Sequence, residues 1–517
     1  MESRRLAEMQ RTDLLRILSL ASDLGVGLPL GHGLRACYIG VRIAEQLGTS
    51  APERRDVIDV GMLKDAGCTS WATQVATFIR GDDITARREM LFFRELGDKR
   101  EVIGWAAKFV GAGSRLPVRM GRLADFMLSG RDFMREGFQS SGEVASRVAE
   151  RLGASEMVRI ALPSLFEQWN GKGMPRGLRG EAIPLLSRIV FATSYLEAAH
   201  ASRGRAAAVD LARQRAGSAF DPAVVTAFEQ LSRDDEFWEP LEGGATSAFL
   251  DGQAGGAPSV GVDEFAACCA DFVDMKAYWL AGHSRRVAEL AERVARRLRL
   301  PDAMAREVRL GGLMHDLGLV AVSSFVLNKP RDEQTPAERA AVASHGEILR
   351  LLLEPFEALR EVGEMASLHH EQPGGAAPTA GDNAMAAAGC IAAADAFDEL
   401  THDAPGAPAV DLELALSTVR GRLGAGPFAS AVEALFGEVS GDGRGARGRQ
   451  SWPAGLTNRE VEVLRLLASG QNRKQIAGEL VVSDSTVRSH LEHIYGKVDV
   501  STRVGAVLFA IENGLLV

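Results

Sequence analysis

Five of the ten histidines, His283, His315, His345, His369 and His370, fall within 88 residues, where even scattering over 517 would place about 1.7. Asp316 follows His315 directly, and Asp395 lies in the segment IAAADAFDELT. Neutral imidazoles offer nitrogen lone pairs, and carboxylates can bridge two ions, so this set suits Fe, Mn, Co or Zn. Adjacent His and Asp act from one helix end. The other histidines must arrive from other helices, which is how helical folds build metal sites in their interiors.

Helices are therefore what must position these groups, and helical signals dominate. Stretches such as SRRVAELAERVARRLRL (284–300) and REVEVLRLLASG (459–470) carry apolar residues at i, i+3, i+4 and i+7, alanine is abundant, and alternating Val/Ile/Thr runs are scarce. The chain is expected to be all-α. At 517 residues it is too long for a single core, and about three to four units are expected. Two stretches break the helical period: the Gly-rich 235–262, and the Gly/Arg-rich 440–455, which contains Trp452-Pro453 and reads as a linker. The resulting domains are 1–240, 260–439 and 455–517, with the linker at 440–454.

A count of 59 Lys and Arg against 68 Asp and Glu leaves a net charge of -9. That argues against a protein that coats nucleic acid or a membrane surface, although one basic face fits inside an acidic total. No apolar run approaches the ~18 residues of a spanning helix, and the start, MESRRLAEMQRTDLLRIL, lacks a signal-peptide core. Five cysteines are too few and too badly spaced for a disulfide framework or a CxxC metal site. The vicinal pair Cys268-Cys269 reads as buried helix filling. A soluble, reduced, cytoplasmic, multidomain protein is expected.

The first two domains read as diverged copies of one unit. His32-Gly-Leu-Arg35 opens one and His283-Ser-Arg-Arg286 the other; 32 residues on come Lys64-Asp65-Ala-Gly67 and His315-Asp316-Leu-Gly318. FEQWNGKGMP (166–175) then matches HEQPGGAAP (370–378), and AGSAFDPAVVTAF (216–228) matches AGPFASAVEALF (425–436).

With a leading His, an HD pair, a lone His, a His-His pair followed by Glu and a late Asp, the second copy resembles the HD-GYP branch of the HD superfamily of metal-dependent phosphohydrolases. The resemblance covers about 260–439 well and about 14–230 as a degenerate copy. It implies metal ligands at His283, His315, Asp316, His345, His369, His370 and Asp395, holding a divalent transition-metal centre, binuclear Fe or Mn. It also implies hydrolysis of a phosphoester, typically cyclic di-GMP, with Asp316 in the catalytic centre and Arg286 and Lys329 as phosphate contacts. The chain departs from the pattern in both copies. Leu319 stands where HDxGK has Lys, and Gly374-Gly375-Ala-Ala-Pro378 stands where GxGYP is expected. The first copy keeps most of that signature in NGKGMP (170–175) but has Lys64 for His, Leu165-Phe166 for His-His, and Thr193-Ser194 near the late Asp. It is expected to bind no binuclear metal and to serve as a partner lobe, dimerisation surface or ligand sensor. Turnover in the second copy is left open.

From 455 the pattern changes. Thr457 with Glu460 three residues on makes a capping box, and Gly470 ends that helix. A short helix follows from Asn472 to Leu480, Ser483 is placed to cap a third, and Ser501 to Asn513 makes a fourth. A helix, a tight turn and a helix with a polar and basic N-terminal end form a helix-turn-helix. The block is similar to the LuxR/FixJ-type DNA-binding domain over about 60 residues, through LTxRExEVLxLxAxG, the IAxxL…S…TVxxH core and the trailing KVxVxxRxxAV. That resemblance implies base contacts from Arg488, Ser489 and Glu492 and phosphate contacts from Lys474, Thr486 and Lys497, and Ser483, the cap of the reading helix, is counted with them among the DNA-binding residues. Residues 455–517 carry 7 basic and 7 acidic side chains, so a homodimer on a two-fold site of double-stranded DNA is expected.

The expected architecture is two HD-domain-like helical bundles followed by a four-helix LuxR-type domain. The expected protein is a transcriptional regulator whose HD lobes sense a nucleotide or metal. The alternatives are a metal phosphodiesterase localised by its reader, with a cyclic dinucleotide or other phosphoester as substrate, and a pair of inert scaffold lobes.

Overall fold

A computed structural model describes residues 9–90, 99–253, 260–370, 382–441 and 452–516. The segment expected to replace GxGYP (374–378) and most of the expected linker (442–451) lie outside the described residues. Among the described residues every regular element is helical, apart from isolated bridges between Ala216 and Phe220 and between Ala404 and Ala407. The protein is all-α. No helix is long and apolar enough to cross a membrane among the described residues. The chain divides into two compact units, one comprising Gln10–Val260 with Ser323–Phe325, the other containing Gly261–Val322 and Val326–Val517.

In the amino-terminal unit, α1 (Arg11–Gly25), α2 (His32–Gln46), α3 (Ala51–Leu63), α4 (Leu116–Arg151) and α5 (Leu185–Arg203) carry the features that matter for the site. Helix α2 packs against α3 and α5, burying Tyr38, Ile39, Val57, Val60, Ile189 and Leu196. Ser50 and Glu53 form a capping box that starts α3. The Gly-rich stretch 235–262, read as a break, instead carries helices at Asp235–Glu242 and Thr246–Gln253. Buried Phe237 and Trp238 tie the first of them to Tyr38 and Phe228. Aromatic anchoring supplies the stability that glycine content removes.

The second unit repeats the arrangement in α6 (Val262–Asp274), α7 (His283–Arg297), α8 (Asp302–Met314), α9 (His345–Leu353), α10 (Arg360–Ser367), α11 (Asp382–Thr401) and α12 (Ala429–Gly441). Cys268 and Cys269 are fully buried on α6. In both lobes the landmark histidine is the first residue of its helix and follows a left-handed glycine, Gly31 at φ 82° or Gly282 at φ 75°. Neither glycine has a side chain to cap the helix. A buried carboxylate from the preceding helix does so: Asp23 accepts the Gly33 N–H at 3.1 Å, and Asp274 the Ser284 N–H at 3.1 Å. A second correspondence is steric. A Cβ on Gly67 would lie 2.0 Å from the Ser141 carbonyl oxygen, and one on Gly318 would lie 2.0 Å from that of His345. Only glycine fits either position, and the match makes Ser141 the counterpart of His345.

Four further helices close the chain: α13 (Asn458–Ala468), α14 (Arg473–Glu479), α15 (Asp484–Val498) and α16 (Arg503–Glu512). Thr457–Glu460 and Asn472–Gln475 are complete capping boxes, and Ser483 accepts from the Thr486 N–H. The last helix starts later than Ser501 because Thr502 is its cap, accepting from the Gly505 N–H. Val461, Leu464, Ile476, Val487, Leu491, Ile494 and Ala506 form the core of this domain.

Candidate metal centre and DNA reader

The seven expected ligands come from five places in the second lobe. His283 opens α7, His315 and Asp316 follow α8, His345 opens α9, His369 and His370 follow α10, and Asp395 lies within α11. Their side chains converge. Ligand atoms of His283, His315 and Asp316 lie within 4.8 Å of one another, as do those of His315, His369 and Asp395, and those of His345, His369 and His370. His283 Nε2 is 3.2 Å from Asp395 and 3.6 Å from Asp316, while His345 Nε2 is 3.5 Å from the other Asp316 oxygen. All seven are buried except His370, which is exposed.

What orients the imidazoles is their other nitrogen. His315 Nδ1 meets the Gly312 carbonyl at 2.8 Å, His345 Nδ1 that of Val342 at 2.7 Å, and His369 Nδ1 that of Ala366 at 2.5 Å. Each acceptor is three residues back, at a helix C-terminus or the turn after it, where carbonyls are free. His283 Nδ1 meets Asp398 instead, at 2.8 Å. A neutral imidazole that donates from Nδ1 presents a lone pair on Nε2, and four Nε2 atoms are aimed inward this way. An imidazole held by a carbonyl or carboxylate on its far side is the usual metal-ligating form.

The donor set fits a cation. His345 and His369 place their Nε2 atoms 3.3 Å apart, and two lone pairs at that distance need a proton or a metal between them. His315 Nε2 is buried without a hydrogen-bond partner among the described residues. Burial opposes charge on His283, but the carboxylates of Asp395 and Asp398 outweigh it and hold its pKa well above the usual value. The same contest, with Asp316 and Asp395, pushes His315 up to about 9. Burial and the neighbouring imidazoles drive His369 the other way, well below its usual value. One end of the cluster therefore calls for positive charge and the other supplies neutral nitrogens.

The expected phosphate contacts are placed differently. Arg286 gives Nε and Nη2 to Asp398 at 2.8 and 2.9 Å, so its guanidinium braces the His283 support. Lys329 Nζ is 2.6 Å from Glu338. Asp398 itself was not singled out by sequence reasoning. Its signal is the spacing DAFD, which puts Asp395 and Asp398 on one side of α11.

The amino-terminal lobe holds the relics. His32 Nδ1 is hydrogen-bonded to Glu197, which also takes Arg35, reproducing the Asp398–His283–Arg286 cluster. Ser194 stands at the counterpart of Asp395, and its hydroxyl is spent on the Val190 carbonyl at 2.8 Å. Lys64 and Asp65 pair with each other where the HD pair is expected. Burial disfavours the ammonium, but Asp65 outweighs it and keeps Lys64 charged.

In the reader, α15 displays its polar face. Arg488 and Glu492 are exposed and paired with each other at 2.9 Å, and Ser489 and Lys474 are exposed. Ser483 and Thr486 are joined at the helix start, with their hydroxyls 2.8 Å apart. Lys497 is exposed but tied back to its own domain, 2.7 Å from Glu460 and 3.0 Å from the Gly455 carbonyl.

The HD domain model matches residues 109–224 and 267–425, more than half of the chain. The chain belongs to the HD-domain family. The match takes in part of each HD lobe, 109–224 in the first and 267–425 in the second, and the model of bacterial regulatory proteins of the luxR family matches 454–510. The HD protein is 31% identical to the 3'3'-cGAMP-specific phosphodiesterase 3 of Vibrio cholerae over 421 residues, 80% of this chain and 91% of that one. It superposes on a crystal structure of a cyclic GMP-AMP specific phosphodiesterase from V. cholerae with a TM-score of 0.59 at 27% identity, over 83% of this chain and 97% of that one. Its reader is 43% identical over 61 residues to the transcriptional regulatory protein LiaR of Bacillus subtilis, 12% of this HD protein and 29% of LiaR.

Proposed function

We propose that this protein is a cytoplasmic transcription regulator that binds DNA as a homodimer, and that its second HD lobe holds a binuclear Fe or Mn centre at which a cyclic dinucleotide is recognised and hydrolysed. The observation that carries the reading is the convergence of four Nε2 atoms, each with its Nδ1 partnered outside the cluster, on the carboxylates of Asp316 and Asp395. Divalent ions held there would supply Lewis acidity toward a phosphodiester. Asp316 lies between His283, His315 and His345 and would hold the metal together with them. The similarity to a 3'3'-cGAMP-specific phosphodiesterase over most of both chains supports a 3'3'-linked cyclic dinucleotide as the substrate class. The LuxR-family match supports DNA as the partner of α15.

A second reading, a sensor that binds the dinucleotide without turning it over, is favoured by the fate of the cations. Leu319 replaces the expected lysine, Arg286 is bound to Asp398, and Lys329 to Glu338.

The test compares the anaerobically purified full chain with His315→Ala for metal content and for hydrolysis of 3'3'-cGAMP and cyclic di-GMP. Near-stoichiometric Fe or Mn lost in the variant, with turnover lost in parallel, supports the enzyme. Metal with binding but no turnover supports the sensor. No transition metal after reconstitution overturns both.

A further inference from the structure

The amino-terminal lobe contains a cavity of about 540 Å³ that the metal chemistry does not use. Leu28 and Pro29 form an apolar wall, His32 and Glu197 a buried polar end, and Ser202 and Arg88 contribute to the rest of the lining. Three observations show that it is built to hold something. Its volume lies within the ~300–1,000 Å³ of small-molecule sites. His32 is 1% exposed and its Nε2 has no hydrogen-bond partner among the described residues. Arg88 is exposed and forms no ion pair among the described residues.

The unpartnered nitrogen has a clear origin. In the second lobe the corresponding nitrogen of His283 faces Asp395 and Asp316. Here Ser194 has turned its hydroxyl to Val190, and Lys64 and Asp65 have neutralised each other. Glu197 still fixes the ring, however, and its own charge is secure: burial raises its pKa, but the His32 and Arg35 hydrogen bonds outweigh that and hold it low. An ionised Glu197 makes Nδ1 the donor, so a neutral His32 can only accept at Nε2. A ligand must then bring a donor to that point, an apolar body for Leu28 and Pro29, and an anion for Arg88. Glu197 and Glu89 carry their charges already paired, with Arg35 and with Lys108.

We propose that this cavity binds a purine nucleotide, its base against Leu28 and Pro29 with an N–H of the base (ring N1–H in guanine, the exocyclic amine in adenine) donated to His32 Nε2, and its phosphate at Arg88. The site is formed within the amino-terminal unit, and binding there does not depend on the metal centre's activity.

The test is calorimetric titration of the full chain carrying His315→Ala, and of chelator-treated wild type, with GMP, AMP, ribose 5-phosphate and inorganic phosphate. One purine nucleotide should bind per chain, and ribose 5-phosphate and phosphate at least tenfold more weakly. Arg88→Ala should weaken binding at least tenfold, and Ala201→Trp, which fills the cavity from an exposed position, should abolish it. Melting curves check that both variants stay folded. No binding by either nucleotide, equal binding by phosphate alone, or affinity unchanged in both variants overturns the proposal. Because the metal centre is disabled in both backgrounds, failure here leaves the reading of that centre untouched.

Discussion

Asp398 Oδ2 stands 2.8 Å from His283 Nδ1, and the same carboxylate takes two nitrogens of Arg286. Burial alone would raise the Asp398 pKa, but the His283 and Arg286 hydrogen bonds hold it well below the carboxylate range. An anion fixed there decides which His283 nitrogen faces the cluster. Asp398→Asn, of equal size but uncharged, should therefore weaken metal affinity by about 10–100-fold. Competition against a chromophoric chelator measures it, and unaltered affinity would show that Asp398 does not set the ring.

Gly318 bears on the same centre from the backbone. A methyl group there would lie 2.0 Å from the His345 carbonyl, so Gly318→Ala must push the start of α9 away. The expected cost is about 1–3 kcal/mol, the usual range for overpacking. Denaturant titration reads it, and metal content should fall in parallel because His345 moves with its backbone.

Asp23 gives the amino-terminal lobe a pH signature. Burial raises its pKa from 3.8 to about 6. Between those values the native state keeps a proton that the unfolded chain has released, so this contribution to stability declines as pH rises through the window and levels off above it. Asp23→Asn removes the titration and keeps an acceptor for Gly33. Relative to wild type, the variant should gain up to about 3 kcal/mol between pH 4 and pH 7. A gap independent of pH would contradict the assignment.

In the reader, Arg488 and Lys497 should separate cleanly. Among the described residues Arg488 pairs with Glu492 alone, at an exposed site, a contact worth about 0–1 kcal/mol. Arg488→Ala should leave the melting temperature nearly unchanged while weakening specific DNA binding by about tenfold or more. Lys497→Ala removes the partner of the buried Glu460, so it should lower the melting temperature as well as DNA affinity. Mobility-shift titrations alongside thermal melts distinguish the two, and equal melting losses would place Arg488 among the structural residues.

Much of this was legible in the chain because it is local. The cap at Thr457–Glu460 and the Ser483 helix start depend on residues three apart. Two of the four landmarks shared by the lobes, the leading histidines and the steps at Gly67 and Gly318, recur in the structure, because order along the chain needs no folding to be seen. The ion pairs of Arg286 and Lys329 were not legible. Their partners, Asp398 and Glu338, are chosen by packing, and a free-looking cation in sequence is often a bound one in three dimensions. The carbonyls that orient His315, His345 and His369 carry no residue identity at all. The helices at Asp235–Glu242 and Thr246–Gln253 were hidden by glycines whose cost is met by distant aromatic contacts.

The Lys64–Asp65 pair bears on how the protein meets metal scarcity. Both lobes bury carboxylates, and each needs countercharge at the same place in its fold. On our reading the second lobe imports that charge from its surroundings, whereas the first has it written into the polypeptide as an ammonium on a tether. Starved of metal, the two halves should part company: one loses the ions that reconcile its imidazoles, while the other keeps its shape.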